Sequence, residues 1–159
     1  MKLFLKDNKI IVFLNSKEIL FLKSNDKENL EKYFKNLFKK IKQLYNLDFN
    51  GYYNIDVYKN IFGIVLEIVD EENEYYSYFN QIDMKINIIN TMFLYEINYD
   101  FIDNNLLNKV ICYKNGDKIY LKTKNNIDEI SLSRLFEYGN IIYGDEVNKI
   151  LKHGKKVVI

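Results

Sequence analysis

The chain has 159 residues, 48% of them hydrophobic and 28% charged, the balance of a folded globular protein with one α+β domain over residues 1–159. Its formal net charge is +1, which removes any global electrostatic case for nucleic acid or an anionic membrane as partner. A single cysteine, Cys112, cannot form an internal disulfide, so a reducing, cytoplasmic setting is expected.

Alanine, proline and tryptophan are absent, and Arg134 is the one arginine among many lysines. Asn, Ile, Lys, Tyr and Phe, which AT-rich codons supply, are abundant instead. An AT-rich genome explains this bias, so richness in Tyr or Lys by itself says little about function. The opening MKLFLKDNKIIVFL has the apolar content of a signal peptide, but Lys6, Asp7, Asn8 and Lys9 interrupt it and no small-residue cleavage site follows. No apolar run approaches the roughly 18 residues of a membrane span, and no membrane association is expected.

In chain order, the first signal is a hairpin. A two-residue loop at Asp7-Asn8 pairs Leu5 with Ile10 and Leu3 with Val12, and the opposite face carries Phe4, Ile11 and Phe13. Both faces are apolar, so both should be covered. Between about Asp26 and Tyr45, Leu30, Tyr33, Phe34, Leu37, Phe38, Ile41, Leu44 and Tyr45 recur at helical spacing, with Ser24 or Asp26 as the cap. This predicts a long amphipathic helix packed across a sheet.

A second hairpin follows in YYNIDVYKNIFGIVLEIV, where a loop at Asn60-Ile61 sets Val57 against Ile64, Ile55 against Leu66 and Tyr53 against Ile68. The other face then pairs Asp56 with Val65 and Asn54 with Glu67, and lets Tyr58 cover Gly63. Tyr53 is core in this reading, while Tyr52 and Tyr58 stand on the more polar side. A third hairpin, turning at Asn90-Thr91, pairs Ile86 with Tyr95 and Met84 with Ile97, with Lys85 facing Glu96. A fourth turns at Asn115-Gly116 as type I′, pairing Cys112 with Ile119 and Val110 with Leu121. Cys112 is thereby a small core hydrophobe.

Two shorter helices complete the chain. One spans about Asp128 to Tyr138, with Asn126 and Glu129 as a capping pair and Gly139 at C′. The other runs from Asp145 to about Lys152 and stops at Gly154, before a terminal strand in KKVVI. The fold class expected is α+β: a mainly antiparallel sheet of successive hairpins, one long helix across a face and shorter C-terminal helices.

Catalytic constellations are sparse. The one histidine, His153, ends a helix where the dipole favours it, and one His with one Cys assembles no ordinary zinc site. No phosphate-binding glycine loop follows a strand, so no cofactor is called for. Asp56, Glu67 and the Asp83-Met84-Lys85 triplet loosely imitate the acid-and-lysine layout of a metal-dependent nuclease. That spacing is common by chance.

Two surfaces remain as binding candidates. Lys32, Lys35, Lys39 and Lys42 line the helix side opposite its apolar stripe and offer phosphate contacts; equally, lysines late in a helix suit the macrodipole. The segment DEENEYYSYF places Tyr75, Tyr76 and Tyr78 behind four acids. Together with Tyr52, Asp56 and Tyr58 these form the expected contact surface, because Tyr gives large area at low entropic cost. The reading is a small cytoplasmic, non-catalytic protein-interaction or regulatory module acting on a protein partner or on itself. The alternatives are a nucleic-acid binder using the helix lysines and, behind it, the metal nuclease.

Overall fold

The structure, a computed structural model, describes residues 1–15, 26–71 and 82–159. They form two compact units, Met1–Ile89 and Asn90–Ile159, each built around its own mostly antiparallel sheet. The chain is α+β, with ten strands, one long helix and shorter helices in its C-terminal half among the described residues.

In the first unit, β1 (Lys2–Lys6), β2 (Lys9–Asn15), β3 (Gly51–Lys59), β4 (Gly63–Asp70) and β5 (Ile82–Asn90) make a sheet of order β1-β2-β4-β3-β5. The long helix α1 (Lys27–Tyr45) starts at Asp26, whose carboxylate accepts the Glu28 N–H at 3.1 Å. It stops at Asn46, where a left-handed backbone (φ 54) lets the cap N–H reach the Lys42 carbonyl. Leu30, Phe34, Leu37, Phe38 and Ile41 of α1 pack on Val12, Leu14, Tyr53, Ile55, Val57, Ile64, Leu66, Ile68 and Met84 in one buried core. The periodicity holds through Ile41 and then fails, because Leu44 (61% exposed) and Tyr45 (42%) stand in solvent.

Tyr53 sits in this core as its alternation demands. Phe38 stacks on Phe49 at 4.2 Å, and both rings flank Tyr53 at 5.5 Å. Its hydroxyl escapes burial without a partner by donating to the Asn50 carbonyl at 2.9 Å and accepting from the Asn50 N–H at 2.7 Å. Burial pushes its phenol upward despite that bond.

The first hairpin keeps the expected register, Leu3 with Val12 and Leu5 with Ile10. Its second face differs from expectation. Ile11 and Phe13 are buried, but Phe4 of β1 is 50% exposed, and on the first face Leu5 is 64% exposed as well. The second hairpin is shifted by two residues: Val57 faces Leu66, Ile55 faces Ile68 and Asp56 faces Glu67. The cause is Asn60, whose side chain accepts the N–H groups of Phe62 (2.7 Å) and Gly63 (3.1 Å) while its own N–H donates to the Gly63 carbonyl at 3.1 Å, which centres the turn on Ile61-Phe62, one residue further along. A two-residue slip preserves side-chain parity, so the faces are as read while every pair changes. Tyr58 accordingly faces Val65 and not Gly63.

The third hairpin does not form. β5 lies beside β3 in the first sheet, whereas β6 (Leu94–Ile97) pairs with β8 (Lys118–Thr123) and β9 (Asn140–Ile142) in the second. Met84, Ile86 and Ile88 join the first core. Glu96 takes Lys118, two residues along β8, at 2.9 Å, in place of the expected Lys85.

The second sheet has the order β10-β7-β8-β6-β9, with β7 covering Val110–Asn115 and β10 covering Lys155–Val157. Its β7–β8 turn is centred on Gly116-Asp117, one residue past the expected Asn115-Gly116, so Cys112 faces Leu121 and the pairing is again shifted by two residues. Only Gly116 has positive φ (61), the requirement of a II′ turn with glycine first rather than a type I′ turn. A 3₁₀ turn (Tyr99–Phe101) and a short helix α2 (Asn104–Leu107) precede β7, and neither has a sequence signal strong enough to foresee. Helix α3 (Glu129–Tyr138) is capped by Asp128 and not by Asn126. Gly139 ends α3 in extended backbone (φ −97), so its reason is not a left-handed cap. A Cβ there would sit 2.7 Å from the Leu135 carbonyl oxygen and 3.3 Å from the Tyr95 Cβ.

Helix α4 (Asp145–His153) packs Val147 and Ile150 on Leu94 and Tyr120. The opposite face carries Cys112, Leu121, Ile141 and Tyr95, whose ring meets Phe136 of α3 edge-on at 5.8 Å. The Tyr95 hydroxyl is buried, has no hydrogen-bond partner among the described residues, and its phenol is pushed far upward by desolvation. Tyr95→Phe should therefore leave stability unchanged or raise it by about 1 kcal/mol, read as an unchanged or higher urea midpoint. A loss of stability would mean the hydroxyl has a partner.

Asp128 locks α3 to the start of β7. Its carboxylate accepts the Ser131 N–H at 2.9 Å and the Ser131 hydroxyl at 2.9 Å, and pairs closely with Lys109. Lys109 in turn donates to the buried Ser131 hydroxyl at 3.3 Å. The Lys109 hydrogen bond first, then those from Ser131, hold the Asp128 carboxyl well below the usual carboxylate range. A depressed carboxyl stabilises the fold above its unfolded value, roughly pH 3.9, and the contribution fades as pH falls through the folded value. Thermal melts of the native chain should thus lose more midpoint between about pH 4 and pH 2 than melts of Asp128→Asn. Parallel curves would remove Asp128 from the acid response.

Candidate functional site

The strand alternation of β3 divides the tyrosines. Tyr53, Ile55 and Val57 face α1, and Tyr52, Asn54, Asp56 and Tyr58 fall on the other side of the sheet, each half-buried. Tyr52, Asp56 and Tyr58 are therefore brought onto one face, as expected. Tyr75, Tyr76 and Tyr78 lie outside the described residues.

The two-residue shift in register gives this face its main electrostatic feature. Asp56 and Glu67 stand directly opposite each other on β3 and β4, a like-charge pair that by itself weakens a sheet. Each is answered from a different strand. Lys9 of β2 reaches Glu67 at 3.1 Å, and Glu67 is well covered, with its side chain 14% exposed. Asn87 of β5 donates to Asp56 at 2.7 Å and to the Asn54 carbonyl oxygen of its side chain at 3.2 Å. Among the described residues Asp56 thus has an amide for its partner and no cation. Asp83 is turned to its own strand, accepting the Met84 N–H at 2.8 Å.

Asn87 and Lys9 were not singled out from sequence. The signal for Asn87 was present, since Asp83, Lys85 and Asn87 form the polar row of β5. Its use is hidden in the sequence because the local pattern pairs β5 with the strand that follows it, whereas the structure sets β5 beside β3. Lys9 reaches Glu67 only because β2 adjoins β4.

On the other side of the unit, Lys32, Lys35 and Lys39 are exposed along α1, with Glu28, Glu31 and Asn36 around a shallow groove of about 390 Å³. Lys42 is exposed too and pairs with Asp48 at 2.5 Å. The ridge is of mixed charge at its N-terminal end, where Lys27 approaches Glu31 at 3.8 Å.

Among the described residues, no three His, Cys, Asp or Glu side chains gather in a group able to hold a metal ion. Cys112 is buried in β7 and desolvation pushes its thiol up, while His153 is exposed at the end of α4. A feature of the second unit had no counterpart in the sequence reading: Phe101 and Tyr138 stack at 4.8 Å although both remain over 40% exposed. Beside them Arg134 pairs with Asp103 at 2.5 Å.

No protein-family model matches the chain, and neither does any curated protein or solved structure. No helix among the described residues is long and apolar enough to cross a membrane.

Proposed function

We propose that the chain is a small, non-catalytic protein-interaction module of the cytoplasm, and that a protein partner docks on the β3–β4–β5 face bearing Tyr52, Asp56 and Tyr58. The observation that carries this reading is Asp56. A half-buried carboxylate beside Glu67, held by the Asn87 amide and by no cation among the described residues, is suited to receive a lysine, arginine or backbone N–H from outside. Tyr52 and Tyr58 flank it on the same strand face and offer contact area that is already ordered. Burial of Cys112 suits a reducing compartment.

The test is capture from nuclease-treated host extract on the immobilised native chain, on Asp56→Asn and on Tyr58→Ala. Capture of a defined protein that falls about tenfold or more in Asp56→Asn, with unchanged circular dichroism, is the expected result. Capture indifferent to both substitutions would overturn the assignment. Capture that disappears with nuclease, and with Lys35→Glu and Lys39→Glu, would move the function to the lysines of α1.

A further inference from the structure

The sequence holds two Asn-Gly pairs, Asn50-Gly51 and Asn115-Gly116. Such a pair can cyclise on itself, because the glycine main-chain nitrogen can reach the asparagine side-chain carbonyl carbon and no glycine side chain obstructs it. In a folded chain, access decides whether it does, and the two pairs differ sharply in access.

Asn50-Gly51 is closed. The Asn50 N–H donates to the Tyr53 hydroxyl at 2.7 Å, and that hydroxyl donates back to the Asn50 carbonyl at 2.9 Å, so the backbone is held on both sides of its Cα. The Asn50 side-chain oxygen is out of solvent, and Gly51 is buried as the first residue of β3. Bringing the amide onto the Gly51 nitrogen requires unseating the start of that strand. Asn115-Gly116 is open. Both residues are exposed, and Asn115 is the last residue of β7, paired with Lys118 across the two-residue loop. The first N–H of such a loop points out of the ladder, and the Gly116 N–H makes no hydrogen bond among the described residues. Nothing lies within 4 Å of the place a Gly116 Cβ would take, so the nitrogen is uncrowded there too.

We propose that Asn115 is a site of spontaneous covalent modification, where the β7–β8 turn converts itself to aspartyl and isoaspartyl forms while Asn50 is spared. The Gly116 nitrogen bonds to the Asn115 Cγ, the Cγ–Nδ2 bond breaks, and ammonia leaves with the Gly116 proton, giving a succinimide. Water then adds at one of its two carbonyl carbons as the bond from that carbon to the ring nitrogen breaks. Opening at Cγ restores the ordinary main chain with an aspartyl side chain, and opening at the main-chain carbonyl routes the chain through the side chain. One water is consumed, one ammonia is released, nothing is oxidised or reduced, and a neutral amide becomes a carboxylate. The formal charge of the chain falls from +1 to neutral. The new carboxylate arises next to Lys114, which faces Lys155 of β10. In the isoaspartyl form the main chain gains a methylene at the residue that closes the ladder with Lys118, so the hairpin end loosens. The site belongs to the second unit and uses nothing of the Asp56 face, so the two proposals stand or fall independently.

The experiment ages the native chain at mildly alkaline pH in heavy-oxygen water, folded and in unfolding urea, and maps peptides by mass spectrometry. Each newly made carboxylate carries one heavy oxygen. In the folded chain Asn115 should convert at least about tenfold faster than Asn50, which has to wait for local opening, and in urea the gap should close. Asn115→Gln lengthens the side chain by a methylene, so the favoured ring no longer forms, and should end conversion at that position while leaving Asn50 as it was. Gly116→Ala sets a methyl beside the attacking nitrogen and should slow conversion severalfold; should it not fold, the exposed Asn115→Gln decides alone. Absence of label at Asn115 would overturn the proposal, as would equal labelling of Asn50 and Asn115 in the folded chain. So would a preference for Asn115 that persists undiminished in urea, since neighbouring residues and not the fold would then set it.

Discussion

Phe34→Ala should cost the first unit about 3–5 kcal/mol, a large share of the roughly 5–15 kcal/mol that holds a domain together. Phe34 is fully buried at the middle of α1, facing β2, β3 and β4 within one continuous core. Its removal forfeits the transfer free energy of the ring and leaves a cavity whose walls are strand side chains fixed by their ladder. The loss should appear in urea unfolding and as faster amide exchange across β2, β3 and β4. The neighbouring Lys35→Ala, on the exposed side of the same turn, should change stability by less than about 0.5 kcal/mol. Equal effects from the two substitutions would mean that α1 does not pack as described.

Gly139→Val should destabilise the second unit by about 2–3 kcal/mol. The backbone there is ordinary extended conformation, so strain in φ plays no part. The obstacle is space. The added Cβ would stand 2.7 Å from a helix carbonyl oxygen, which cannot swing away as the end of a flexible side chain would, and the chain behind it is pressed against Tyr95. Gly139→Ala should already show part of the loss. Gly116→Ala makes a useful contrast, because nothing lies within 4 Å of its Cβ and its cost, about 1–2 kcal/mol, comes from the positive φ alone. The two glycines can be told apart by Gly→Asn, a residue that tolerates left-handed backbone but still needs room: mild at position 116, damaging at position 139. Urea midpoints of the five variants check both statements. A harmless Gly139→Val would show that α3 can lift from β6 at little cost.

The tyrosine-rich stretch from Asn50 to Ile68 shows where sequence ends and tertiary structure begins. Alternation alone placed Tyr53 in the core and Tyr52, Asp56 and Tyr58 on the opposite face, because a strand has a side-chain period of two and the aliphatic row admits one orientation. The pairs across the hairpin were another matter. Shifting by two residues leaves both faces unchanged, so hydrophobic pattern cannot see it. The Asn60 side chain bonded to Phe62 and Gly63 decided it, and with it the meeting of Asp56 and Glu67. The same ambiguity recurred at Gly116.

By itself, the sequence determined the fold class, the extent of α1, the face of nearly every strand and the burial of Cys112, all of which depend on periodicity and on residues close in the chain. Only the tertiary structure decided which strands become neighbours: β5 beside β3 and not β6, β2 beside β4, and β1 outermost among the described strands of its sheet. Those choices rest on competition between distant segments for the same edges, and a local pattern carries no information about the loser. That is why Asp56 was legible as a surface residue while Asn87 and Lys9, the groups that define its surroundings, were not.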